Sequence, residues 1–154
     1  WEDQKHQERT AGNGQEDGDD SDSSALDGVV TALPALTRAF KLQKRAARVG
    51  FDWKSIVPVV GKVREELAEV EAEIAAGGDA AKLRNEVGDL LFCCANLARK
   101  LRIDPETALR GGNTKFERRF RRMEEQLNAD GKRIDDLSVE EVLEVYWTQV
   151  KGEE

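Results

Sequence analysis

Four residue types are scarce in this chain of 154 residues, and each shortage narrows what it can be. Histidine occurs once, at His6. Di-iron carboxylate bundles, which need Glu-x-x-His on their helices, are therefore a poor fit. The two cysteines, Cys93 and Cys94, are adjacent. Sequence neighbours do not readily bridge each other, which points to reduced thiols and a cytoplasmic setting. Only three prolines interrupt long runs of Ala, Leu, Glu, Lys and Arg, a composition that favours helices. Aromatic residues make up 6%. No apolar run approaches the roughly 18 residues of a membrane span, and no signal peptide is visible. A net charge of −7 argues against a nucleic-acid polymer as partner.

The chain starts at Trp1 rather than Met, so it is expected to be a piece of something longer. Residues 1–27, containing "GNGQEDGDDSDSS", are rich in Gly, Ser and acid and poor in apolar residues. They read as an acidic flexible linker or tail, with "WEDQKHQER" as the end of a helix. The folded domain is expected over 28–154.

Pro34 and Gly50 bracket a first helix. A second is expected from about Ile56 to Ala76, ending at Gly77-Gly78. Asp79 caps a third, roughly Ala80 to Leu101. Asp104-Pro105 opens a fourth, to about Asn128, and "SVEE" reads as a capping box for a last helix to about Val150. No useful strand alternation is present. The fold class expected is an all-α antiparallel helical bundle, completed by dimerisation.

Acidic residues recur three apart in two of these helices: Glu66 with Glu69, and Glu86 with Asp89. At 100° per residue, Val59, Val63, Leu67, Val70 and Ile74 form an apolar arc beside Glu66, with Glu69 on its other side. On the third helix Leu83, Val87, Leu90, Cys94, Leu97 and Leu101 form the matching arc, and Asp89 takes the place of Glu69. Lys62 and Lys82 precede the acids at the same offset. The stretch from Glu69 to Glu86, 17 positions on, suits an antiparallel hairpin. At interhelix distances of about 8–10 Å, four carboxylates can converge. Converging carboxylates repel, so without a cation some must take up protons or the site must loosen. Oxygen-only ligands suit Mg²⁺, Mn²⁺ or Ca²⁺, and Mg²⁺ commonly joins protein carboxylates to substrate phosphates. Either pair alone is most simply a solvated face with i,i+4 pairing. The same placement on both helices is what favours a metal site.

The fourth helix holds "NTKFERRFRRMEEQL", with Leu109, Phe116, Phe120, Met123 and Leu127 expected on its buried face. Lys115 and Arg119 share one flank, with Arg122 nearby. They read either as a basic surface paired with acids or as a phosphate clamp. Phe51, Trp53, Tyr146 and Trp147 either plug the core or stack on a base.

The pattern Glu65-Glu66-x-x-Glu69, then Glu86-x-x-Asp89, resembles the signature of all-α nucleoside triphosphate pyrophosphohydrolases. The blocks "KLQKRAARVGFDW", "EVGDLLFCCANLARKL", "DPETALR" and "NTKFERRF" resemble the MazG family, in its C-terminal catalytic module, over nearly all of residues 26–150. Residues 1–32, with "SALDGVVTALPAL", resemble the connector that joins two modules in longer members.

The resemblance implies Mg²⁺-dependent hydrolysis of a nucleoside triphosphate between the α- and β-phosphates, giving monophosphate and pyrophosphate, with Mn²⁺ as a substitute. It implies that Glu66, Glu69, Glu86 and Asp89 hold the metal and that Lys62 and Lys82 touch substrate. It places Lys115 and Arg119 on the triphosphate and Trp147 against the nucleotide. The attacking group would be a water activated on the metal and oriented by a carboxylate. A homodimer is implied as well.

Two departures stand out. Gly111-Gly112 would cost about 2 kcal/mol against Ala and could kink or break the fourth helix. The connector reads "GVVTALP" where the family often has a proline after the first Val. Two other functional readings remain beside broad nucleotide clearance: a narrow dUTP or dCTP pyrophosphatase, and a catalytically silent helical dimerisation or regulatory module.

Overall fold

The computed structural model describes residues 23–152, all helix, turn or coil. Most of the linker expected over 1–27, and the helix end expected at 1–9, lie outside the described residues. Within the remainder, Ser24–Asp27 forms a turn in which the Ser24 N–H donates to Asp27 Oδ2 at 2.9 Å.

Four long helices follow where local chemistry dictates. Helix α1 is Ala35–Arg48, behind Pro34. Helix α2 is Ile56–Ala75 and α3 is Ala80–Lys100. Helix α4 is Pro105–Ala129. Asp79 accepts from the Ala81 and Lys82 amides at 2.8 and 3.0 Å, starting α3. Asp104 accepts from the Thr107 amide at 2.7 Å, starting α4. These short side chains satisfy amides that have no intrahelical partner.

The α2–α3 turn needs the first of its glycines. Gly77 has φ +67°, a left-handed conformation that a side chain resists. A Cβ on Gly78 would meet the flexible side chain of Glu73, which can swing aside.

Helix α4 runs unbroken through Gly111-Gly112, against the kink expected there. The glycine penalty is small beside a 25-residue helix capped by Asp104 and braced by a Glu106–Arg110 pair at 3.3 Å. The C-terminal segment is less regular than expected. Its Ser138–Glu141 capping box is present, with bonds of 3.2 and 3.0 Å. Helix α5, Val139–Glu141, then widens into a π-helical stretch, Val142–Trp147, before α6, Thr148–Gly152.

Packing centres on two places. Helices α2 and α3 form an antiparallel hairpin, and α1 lies on α3, where Gln43 Nε2 donates to the Phe92 carbonyl at 2.8 Å. Val59 and Ala95 are the fully buried apolar residues of this layer. At the other end, Met123 and Leu127 of α4 pack with Tyr146 and Val150. The Tyr146 hydroxyl donates to Asp130 Oδ2 at 2.8 Å, so the ring can be buried without stranding its polar tip.

The apolar arcs expected to be buried are not all buried. Leu67 and Ile74 on α2 are 47% and 62% exposed. Val87 and Cys94 on α3, Leu101 just past its end, and Leu109 and Phe116 on α4, are exposed too. Conversely Glu66, expected at the rim, is buried at 5% exposure against α3. A helical wheel ranks faces by polarity and cannot separate the face turned to the chain's own neighbour from one left open.

Candidate functional site

The α2–α3 hairpin brings acids together. Glu66 from α2 and Glu86 and Asp89 from α3 each place an oxygen within 4.8 Å of the others. Glu66 is buried, Glu86 half-buried and Asp89 exposed, so the cluster opens from the helix interface toward solvent.

Glu69 lies outside that trio and is exposed, yet it feels the same charges. The Glu66 charge, followed by desolvation, holds its carboxyl above the usual range; Lys62 opposes the shift and Glu86 adds to it. Three of the four expected acids thus converge, and the fourth stands at the edge.

Lys62 is the local counter-charge. Its Nζ lies 2.7 Å from Glu66 Oε1 and 2.8 Å from Glu65 Oε1. Hydrogen bonds to Glu65, then Glu66, raise its pKa. Lys82 is placed differently. It sits in the first turn of α3, beside the end of α2, and meets Glu73 at 3.7 Å rather than the trio.

Cys93 borders the acids. Burial, then the Glu66 charge, pushes its thiol up, with Asp89 adding and Lys62 opposing. Such a thiol is a poor nucleophile. Its place was readable from spacing alone, because Lys82, Glu86, Asp89, Cys93, Asn96 and Lys100 follow one another at alternate steps of four and three along α3.

The other expected site residues gather elsewhere. Lys115 is exposed and Arg119 half-buried on α4. Lys115 makes no ion pair with any described residue. Trp147 packs near the same stretch, its ring 5.5 Å from Phe116 and tilted by 52°, while Phe116 stacks on Phe120 at 5.8 Å. The acids and this cationic, aromatic group therefore occupy separate elements.

An all-α chain with three carboxylates converging on a helical hairpin presents oxygen donors of the class that hard divalent cations take. The comparison with known proteins narrows that class. Residues 57–123 match the MazG nucleotide pyrophosphohydrolase domain, and the chain belongs to that family. A nucleoside triphosphate pyrophosphohydrolase of Escherichia coli (strain K12) is 52% identical over 132 residues, covering 85% of this chain and 50% of that protein. The nucleoside triphosphate pyrophosphohydrolase/pyrophosphatase MazG of Thermotoga maritima is 40% identical over 152 residues, covering 99% of this chain and 54% of that protein. The chain thus spans about half the length of these curated relatives.

Proposed function

We propose that this chain hydrolyses nucleoside triphosphates between the α- and β-phosphates, releasing a monophosphate and pyrophosphate, with Mg²⁺ as cofactor and Mn²⁺ as a substitute. The observation that carries this reading is the convergence of Glu66, Glu86 and Asp89 in a chain of the MazG family.

The residues fit a divalent cation. Oxygens bound at about 2.1 Å lie at most about 4.2 Å apart across the ion, so the 4.8 Å cluster needs only a small contraction. Glu66, Glu69, Glu86 and Asp89 would hold it. When bound, the cation neutralises phosphate charge and makes a water molecule acidic enough to attack near neutral pH. Hard oxygen donors favour Mg²⁺ or Mn²⁺ over softer metals.

The chain's own groups supply the rest. Lys62, already held against Glu66, offers its ammonium to a phosphate oxygen, and Lys82 approaches from the turn end. Lys115 and Arg119 bind the triphosphate, Arg as a planar fork and Lys as a point charge. Trp147, backed by Phe116, lies against the nucleotide. A carboxylate of the cluster orients the attacking water.

The exposed Leu67, Ile74, Val87, Leu91 and Phe92 on the hairpin call for a cover, and a second copy of the chain provides it. The homodimer brings further helices to the acid hairpin. Residues 28–154 form the catalytic unit, behind an acidic linker over 1–27. The free thiols of Cys93 and Cys94 fit a reducing cytoplasm, and among the described residues no helix is long and apolar enough to cross a membrane.

Substrate specificity is broad in this reading, as expected for clearing aberrant or excess nucleotides. The test is a product assay with the eight common nucleoside triphosphates, separating pyrophosphate from phosphate. Pyrophosphate from most of them, lost in Glu69→Ala and Asp89→Ala, supports the proposal. Activity confined to dUTP or dCTP replaces breadth with narrow preference. No activity, and no thermal shift with Mg²⁺ and nucleotide, leaves a silent helical module.

A further inference from the structure

The acid hairpin is closed at both ends, by different means. At one end is the Gly77-Gly78 turn. At the other, the connection between α1 and α2 is tied to the last turn of α3. Asp52 accepts from Arg99 Nη2 at 2.6 Å and from Nη1 at 3.1 Å. Its Oδ2 also accepts from Lys100 Nζ at 2.8 Å, and the same ammonium donates to the Trp53 carbonyl. Arg99 Nε in turn donates to Oδ1 of the buried Asn96 at 3.0 Å, so the guanidinium is held on both sides. The three charged side chains are largely covered, at 12% exposure for Arg99, 16% for Lys100 and 23% for Asp52. A forked Arg–carboxylate pair fixes direction as well as distance.

We propose that Asp52 is a positioning residue for the metal site: by tying the α1–α2 connection to the end of α3, it sets the lengthwise register of α2 against α3, and with it the meeting of Glu66 with Glu86 and Asp89. This rests on the metal-binding reading given above.

The short Gly77-Gly78 turn limits that register at one end, and the Asp52 clamp limits it at the other. Between the two ends the interface contains like charges, which push apart, and Val59 and Ala95 are its fully buried apolar residues. The lever arms match. Ten residues separate Ile56 from Glu66 on α2, and ten separate Asp89 from Arg99 on α3. At about 1.5 Å per residue each arm is roughly 15 Å long, so the clamp and the acids stand level along both helices. A slide of one residue moves Glu66 by about 1.5 Å, far outside what a Mg²⁺ shell at about 2.1 Å tolerates. Asp52 lies four residues before α2, close enough to transmit such a slide.

The test uses the full chain and two variants that leave the apolar core untouched. Asp52→Asn keeps the shape and removes the charge. Arg99→Lys keeps the charge and removes the fork. Mn²⁺ binding is read by electron paramagnetic resonance, helix content by circular dichroism, and hydrolysis as half-activating Mg²⁺ against kcat. The expected result is native helix content, a Mn²⁺ dissociation constant raised about ten-fold in both variants, a parallel rise in half-activating Mg²⁺, and near-native kcat at saturating Mg²⁺. Variants that melt earlier but bind Mn²⁺ as the native chain does overturn the positioning role and leave the metal site standing. A native chain that binds no Mn²⁺ overturns the metal site, and this inference with it.

Discussion

Replacing Asp89 by Asn should change stability in opposite directions with and without a divalent cation. Asp89 offers an oxygen within 4.8 Å of one from Glu66 and one from Glu86. Two unit charges at that distance repel by about 0.9 kcal/mol in water and about 3.5 kcal/mol at an effective dielectric of 20. Asp89 is exposed, so the lower figure applies, and Lys62 beside Glu66 offsets part of it. Removing the charge should therefore stabilise the metal-free chain by about 1 kcal/mol, or roughly 2–4 °C in Tm for a chain of this size. With Mg²⁺ at about 100 times the native dissociation constant, the native chain gains about 2.7 kcal/mol. If losing one ligand weakens the site about 100-fold, the variant gains only about 0.4 kcal/mol under the same conditions. The order of Tm should then reverse. The assay is thermal unfolding at fixed protein concentration, in EDTA and in Mg²⁺. A variant no more stable than native in EDTA, with an undiminished Mg²⁺ shift, would refute both the repulsion and the ligand role.

Three further outcomes concern the scaffold. Gly111→Ala should stabilise the chain by about 1 kcal/mol in urea unfolding, because the position is helical and a Cβ there meets nothing within 4 Å. Met123→Ala should cost about 2–5 kcal/mol, since that side chain is 1% exposed in the C-terminal core. Asp52→Asn should cost about 1 kcal/mol at pH 7, a value reduced for the partial exposure of the pair. The Arg99 hydrogen bond, with further help from Lys100, lowers the Asp52 carboxyl from its ordinary value of 3.8 to about 2. A lowered folded-state pKa stabilises above the unfolded value, so the difference from native should shrink as pH falls from about 4 toward 2. A gap that persists at pH 2 would count against the ion pair as its source.

The helix ends were legible because their determinants are local. Asp79, Asp104 and the Ser138–Glu141 pair act within four residues of themselves, and Gly77 announces its turn by needing no Cβ. The convergence of Glu66, Glu86 and Asp89 was legible too, because two regular helices joined by a tight turn leave few registers. What was not legible involved competition between surfaces. Leu67 and Glu66 are neighbours, and spacing alone ranked the leucine as the inward one; the structure turns Glu66 to α3 and Leu67 outward. The pairing of Lys82 with Glu73 depends on where α3 starts relative to the end of α2, which shifts with a single turn residue. The Asp52 clamp joins residues 47 and 48 positions apart, beyond any helical period. Gly111-Gly112 misled in the other direction, since a local penalty was outweighed by a long, well-capped helix.

The widened turn at Val142–Trp147 lets this part of the chain carry one residue more than an ordinary helix of the same reach. Its extra residue shows in the hydroxyl of Thr148, which reaches back five positions to the Leu143 carbonyl at 3.0 Å. Tyr146 and Val150 are pinned below it. Excising the exposed Glu144 would let the coil rewind to an ordinary pitch, and the residues on either side, from the Ser138 cap to Val150, would keep their faces. A one-residue deletion at the exposed Glu144 should therefore be tolerated better than truncation of Val142, which packs against the C-terminal core.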